Sequence, residues 1–101
     1  MAWREVSKTA DVEEGQPRQV HVDNQPIAIY RIKDQFYATD DICTHAHAHL
    51  TDGYVEGDCV ECPLHAGIFH IPTGKPVGGP VQTPLRIYPV KVKGDAVLIE
   101  I

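Results

Sequence analysis

Two short stretches carry the residues best suited to chemistry: Cys43-Thr44-His45 and, after sixteen intervening residues, Cys62-Pro63-Leu64-His65. Each offers one thiolate and one imidazole. Four such donors, in two mixed pairs, suit a two-iron, two-sulfide cluster with both cysteines on one iron and both histidines on the other. Neutral imidazoles leave their iron less electron-rich than thiolates would. The reduction potential then rises from roughly −400 mV to between about −150 and +300 mV. Each loop supplies one ligand to each iron, so the two loops must face one another like a clasp. Cys43 and Cys62 would take the inner iron, and His45 and His65 the outer one. An imidazole bound through one nitrogen keeps its other nitrogen for solvent or a partner, which makes the outer histidines the expected electron exit.

A structural zinc site is the competing reading, because zinc also takes Cys/His quartets. Cys59-Val60-Glu61-Cys62 even supplies a Cys-x-x-Cys. Two arguments weigh against it. Common zinc spacing pairs Cys with Cys and His with His, whereas here each loop is mixed. Cys59 also reads as part of a strand entering the second loop, and residues three apart on a strand point to opposite faces. Cys59 is then a small buried hydrophobe. His47 and His49 follow His45 in steps of two and read as solvated loop histidines, with partner contact or proton handling as the alternative; His21 and His70 read as strand-surface residues. A mononuclear iron triad of two His and a carboxylate would need a roomier pocket than so small a chain offers. No catalytic residue is assigned.

The elements that must position the loops are strands. The dominant period is two, with no long helical pattern. Trp3 to Val6 reads as a first strand and Ser7 to Pro17 as polar loop. Arg18 to Val22 follows, then a turn at Asp23-Asn24-Gln25. Pro26 can start but not sit inside the next strand, which runs Ile27 to Ile32. Lys33-Asp34 turns into Gln35 to Thr39. Asp40 to Tyr54 holds the first ligand loop and an Asp52-Gly53 turn. Asp58 to Glu61 leads to Cys62, and Ile68 to Ile71 leads away from His65. From Pro72 to Pro89, prolines and glycines predict mostly irregular chain. Leu85 to Val92 and Ala96 to Ile101 close as a hairpin around Gly94-Asp95. Many short strands with Gly/Pro turns imply an all-β antiparallel sandwich or small barrel.

A chain of 101 residues predicts one domain spanning residues 1–101. Three cysteines do not make a secreted disulfide framework. A net charge of −5 argues against nucleic acid and anionic membrane as partners. No apolar run approaches the eighteen or so residues of a membrane span, and Met1 to Glu5 does not open a signal peptide. The expectation is a soluble cytoplasmic protein. Asp40, Asp41, Asp52, Glu56, Asp58 and Glu61 crowd the ligand segments, either as an acidic collar that steers a basic partner or as ordinary solvated surface.

Taken whole, the chain resembles the Rieske-type ferredoxin components of bacterial aromatic-ring-hydroxylating dioxygenase systems. Besides the ligand motif, the likeness rests on Tyr37-Ala38-Thr39-Asp40, Asp52-Gly53-Tyr54, Phe69, Thr73-Gly74-Lys75 and Tyr88-Pro89-Val90. It implies a Rieske fold, an antiparallel β-sandwich base carrying a small β subdomain at about 41–71 around one [2Fe–2S] cluster. It implies a non-enzymatic, monomeric carrier that takes electrons from an NADH-dependent flavoprotein reductase to a terminal oxygenase. Pro80 falls where this family places a proline loop beneath the cluster. The respiratory-type Rieske proteins add a disulfide whose cysteines would fall at Ala48 and Leu64, so that bridge cannot form here. Ala66 and Gly67 cannot supply the serine hydroxyl those proteins aim at a bridging sulfide, which implies a potential at the low end of the Rieske range. The small subunit of an assimilatory nitrite reductase is a further resemblance-based reading. His65-Ala66 stands where many relatives read His-Gly.

Overall fold

Ile27-Ala28-Ile29-Tyr30 is an unbroken apolar run, and the computed structural model shows why: all four are buried. The structure describes residues 2–44, 47–64, 66–79 and 82–101. The run lies in strand β3 (Gln25–Ile32), inside a sheet ordered β2-β3-β4-β9, with β2 at Arg18–Val22, β4 at Gln35–Asp40 and β9 at Ile87–Tyr88. Alternation sends Ile27 and Ile29 to one face and Ala28, Tyr30 and Ile32 to the other. The sheet is therefore the middle of three layers, with a separate core on each side.

On one face lies the sheet β1-β11-β10, built from Trp3–Lys8, Ala96–Glu100 and Val90–Lys93. Val97 and Ile99 of β11 meet Ile27, Ile29, Val22 and Ala38 in the sandwich core. On the other face lies β5-β6-β7-β8, four three-residue strands at Tyr54–Glu56, Cys59–Glu61, Ile68–His70 and Pro76–Gly78. Val60 and Phe69 turn inward from it onto Ala28, Tyr30 and Ile32, together with Leu50, Ile71, Leu85, Cys43 and Cys62. The all-β sandwich with a small β subdomain agrees with the expectation. No helix among the described residues is long and apolar enough to cross a membrane.

Both hairpins of the middle sheet turn through two residues with positive φ, Asp23 and Asn24 (52° and 68°) and Lys33 and Asp34 (51° and 61°). These are the type I′ turns whose twist matches that of the flanking strands. The segment read as polar loop from Ser7 to Pro17 is tied down more firmly than its composition suggests. Val12 is fully buried in the sandwich core. The Glu14 carboxylate accepts the Lys33 amide at 2.8 Å, and the Gly15 amide donates to the Arg31 carbonyl at 3.1 Å. Pro26 sits within β3 rather than at its start, opposite His21. Pairing with β4 begins only at Ile27 opposite Asp40, so its missing N–H interrupts no ladder on that side.

The segment from Pro72 to Pro89 is more regular than its composition predicts. Pro76–Gly78 extends the subdomain sheet beside β7, and Ile87–Tyr88 joins β4 of the middle sheet. Pro89 separates that strand from Val90–Lys93, so Leu85 to Val92 divides between two layers instead of forming one arm of the closing hairpin.

Tyr88 anchors the seam. Its hydroxyl donates to Asp40 Oδ1 at 2.5 Å, and Gln25 Nε2 donates to both, at 2.9 Å to Asp40 and 2.7 Å to the Tyr88 oxygen. Burial, then the neighbouring carboxylate, push the Tyr88 hydroxyl up to about 12. A phenol that holds its proton longer when folded contributes stability below the ordinary tyrosine range and loses it as pH climbs through about 12. Tyr88→Phe is thus expected to flatten the alkaline limb of stability between pH 10 and 12, read by urea midpoints across that window. An unchanged limb would show that the Asp40 contact does not hold in solution.

Candidate metal centre

The first ligand loop leaves the end of β4 and is closed at its root by backbone bonds. The Cys43 amide donates to the Ala48 carbonyl at 2.9 Å and the Leu50 amide to the Asp41 carbonyl at 2.7 Å. The second loop spans the β6–β7 hairpin, where the Cys62 amide donates to the Gly67 carbonyl at 2.7 Å. Both loops are braced by the proline-rich segment. Thr44 Oγ1 donates to the Thr83 carbonyl at 2.9 Å. Gly79 passes so close beneath the second loop that a Cβ there would lie 2.4 Å from the Ala66 carbonyl oxygen, and its φ of +70° is one that L side chains resist.

Cys43 and Cys62 meet in the subdomain core. Cys62 is wholly inaccessible and Cys43 nearly so. Neither is in a disulfide. The two thiols interact directly, and burial first, with the Cys43 thiol adding to it, pushes Cys62 up to about 11, while the Leu64 amide on the Cys62 sulfur pulls the other way. Two soft donors held side by side under an apolar lid, one with a backbone N–H on its sulfur, fit one iron of a two-iron cluster. His45 and His65, the other pair expected from the sequence, lie outside the described residues, as does Pro80.

Cys59 does not join this pair. It lies on β6 opposite Glu56 and His70, half-buried on the outer face, with its thiol on Asp58 Oδ1 at 3.7 Å. It is therefore less buried than a core hydrophobe, and among the described residues no metal-holding group combines it with Cys62. His70 is on a strand, as expected, but both its nitrogens are engaged, Nε2 with Asp58 at 2.9 Å and Nδ1 with Thr73 Oγ1 at 2.8 Å.

The loop histidines differ from each other. His47 is exposed, in keeping with a solvated residue, whereas His49 Nδ1 lies 2.7 Å from Asp41 Oδ2. Asp41 itself is fully buried, so it cannot belong to an acidic collar; Asp52, Glu56 and Asp58 are exposed. Sequence reasoning placed Asp41 among surface acids because nothing in its neighbours' types announces burial. Ile42 and Leu64, each beside an expected ligand in sequence, are exposed apolar side chains.

Residues 2–89 match the family described as the Rieske [2Fe-2S] domain. The chain belongs to that family. A Rieske domain takes a [2Fe–2S] cluster, and the paired thiols of Cys43 and Cys62 fit it. The naphthalene 1,2-dioxygenase system ferredoxin component of Pseudomonas putida is 40% identical over 99 residues, covering 98% of this chain and 95% of that protein. Among solved structures, the Sphingomonas yanoikuyae B1 ferredoxin superposes with a TM-score of 0.94 at 36% identity, over 98% of both chains. A complex of reduced oxygenase and oxidized ferredoxin in carbazole 1,9a-dioxygenase contains a chain that matches with a TM-score of 0.90 and 43% identity, over 96% of this Rieske chain and 91% of that one.

Ala66, in the position after His65, has a left-handed backbone with φ of 55°. An L-residue pays roughly 1–2 kcal/mol there, and glycine does not. Ala66→Gly is expected to stabilise this Rieske chain by about 0.5–1 kcal/mol after the entropy glycine adds to the unfolded chain. Denaturant midpoints check this, and a lower midpoint would mean the strain is absent in solution.

Proposed function

We propose that this chain is a soluble, cytoplasmic electron carrier, a single Rieske domain over residues 1–101 with its cluster subdomain at about 41–71. It passes single electrons from an NADH-dependent flavoprotein reductase to a terminal aromatic-ring-hydroxylating oxygenase, and has no catalytic site of its own. Cys43 and Cys62 hold the inner iron, and His45 and His65 the outer iron. When bound, the cluster supplies one site that gains and gives up one electron at a time. The rest is done by the chain. The β5–β8 layer and the middle sheet keep water from the cysteine sulfurs, and the Leu64 amide offsets negative charge on one of them. Exposed Ile42 and Leu64 give a small apolar rim suited to brief docking, in keeping with the interfaces under about 1,200 Å² that transient redox pairs use.

The observation that carries this reading is the direct approach of two buried thiols at the roots of two separate loops. The relatives' names add the context of dioxygenase systems, and the oxygenase complex of a 43% identical chain supports an oxygenase as partner. The test is reconstitution: NADH, a flavoprotein reductase and a Rieske oxygenase, with and without this protein. Hydroxylation that depends on it, together with a rhombic EPR signal on reduction, is the expected result. Full turnover without it, or a colourless zinc-loaded protein, would overturn the assignment.

A further inference from the structure

Asp41 is a buried acid with no role in the carrier so far. Its side chain is fully inaccessible, yet no Lys or Arg pairs with it among the described residues. Among the described residues, every polar neighbour in contact with its carboxylate is a nitrogen placed to donate. Gln19 Nε2 lies 2.6 Å and His49 Nδ1 2.7 Å from Oδ2, and the Thr51 amide lies 2.9 Å from Oδ1. With a carboxylate oxygen at that distance, His49 carries its proton on Nδ1. The 3.0 Å approach of Gln19 Nε2 to the same ring nitrogen is then two donors converging on one oxygen. The main chain of Asp41 is used as well, its amide donating to the Pro26 carbonyl at 3.2 Å and its carbonyl accepting from Leu50 at 2.7 Å.

One residue thus closes the first ligand loop from 41 to 51, two positions before Cys43, and fastens it to β2 through Gln19. Its charge also reaches the core beneath the loops. The Tyr30 hydroxyl is pushed up, first by burial and in part by the Asp41 carboxylate, and Tyr30 packs in the same core as Cys43 and Cys62.

Resting on the ligand reading above, we propose that Asp41 is a positioning residue of the Cys43 loop whose buried negative charge lowers the reduction potential of the cluster. Reduction brings one electron from the electrode or the reductase and no obligatory proton. Placing it near a fixed negative charge is unfavourable, and more so inside a protein than in water.

The experiment is spectroelectrochemical titration of the holoprotein and three variants, with iron and sulfide content and EPR for each. Asp41→Asn removes the charge at nearly constant shape, and the Gln19 amide can turn its oxygen toward the new donor. His49→Lys leaves Asp41 in place but sets a permanent cation on it from a half-exposed position. Glu56→Gln removes an exposed charge of the same sign from β5 as a control. Asp41→Asn and His49→Lys are expected to raise the potential, the former by about tenfold in the reduction equilibrium, or about 59 mV for a one-electron couple. Glu56→Gln should move it far less. Unchanged potentials in both clamp variants, or a shift matched by the control, would overturn the proposal. If Asp41→Asn fails to retain its cluster, His49→Lys decides alone. A wild-type protein without iron and sulfide sinks the ligand reading and this one together. A normal wild-type cluster with an indifferent potential sinks only this one.

Discussion

Cys62→Ser is expected to give a folded but colourless protein, without the rhombic EPR signal and with iron and acid-labile sulfide near zero. The reason is local. Cys62 lies at zero exposure in the subdomain core, its amide bonded to Gly67 and its sulfur approached by the Leu64 amide and the Cys43 thiol. Among the described residues no third thiol is placed to replace the sulfur, because Cys59 is on the outer face of β6 against Asp58. A serine hydroxyl is a harder donor and holds its proton far more tightly. Even the native thiol sits at about 11 without metal, so assembly must release its proton and iron must stabilise the thiolate. Cys43→Ser should behave alike, whereas Cys59→Ser should keep full colour and iron. Retention of the cluster in Cys62→Ser, or its loss in Cys59→Ser, would redraw the ligand set around the outer face.

How much of this could be read before the fold was known depends on how local each feature is. The paired motifs stand out in the sequence because Cys-x-His and Cys-x-x-His gather candidate donors within three or four residues; the structure brings Cys43 and Cys62 into one core, while His45 and His65 lie outside the described residues. The middle strands were legible because Ile27-Ala28-Ile29-Tyr30 is apolar on both faces and Lys33-Asp34 is followed at once by Gln35-Phe36-Tyr37. What escaped was decided at a distance. Tyr54–Glu56 and Pro76–Gly78 are strands only because β6 and β7 lie beside them, and no alternation can show in three residues; Ile87–Tyr88, expected in the closing hairpin, pairs with β4 instead. Asp41 and His49 look like loop polar residues. Their pairing needs Gln19 from β2, twenty-two positions before Asp41, to complete the site. Val12 reads as part of a charged loop, although its burial follows from the grip of Glu14 on the Lys33 turn.

Phe69→Ala tests whether the β5–β8 layer is what holds the ligand loops in place. Phe69 is completely buried, paired with Val60 on β6 and Pro76 on β8, and packs toward Tyr30, Ile71 and Leu85 in the core that includes both cysteines. Truncating a buried phenylalanine costs about 3–5 kcal/mol, from lost transfer energy and the void left behind. A small domain has about 5–15 kcal/mol in all. Phe69→Leu, which keeps most of the volume, should cost much less. The loss should also be uneven, because the sandwich core of Val22, Ile27, Ile29, Val97 and Ile99 lies across the middle sheet and does not include Phe69. Two probes separate the layers: visible absorbance follows the cluster, and Trp3, the sole tryptophan, follows the outer sheet, where Lys91 sits 4.3 Å over its ring. In Phe69→Ala, cluster bleaching should precede the Trp3 change as denaturant rises, while in the wild type the two stay closer together. Coincident transitions with a shift under about 1 kcal/mol, less than the ordinary cost of such a void, would mean that the loops are held by the middle sheet and the Thr44–Thr83 brace, with the small sheet only covering them.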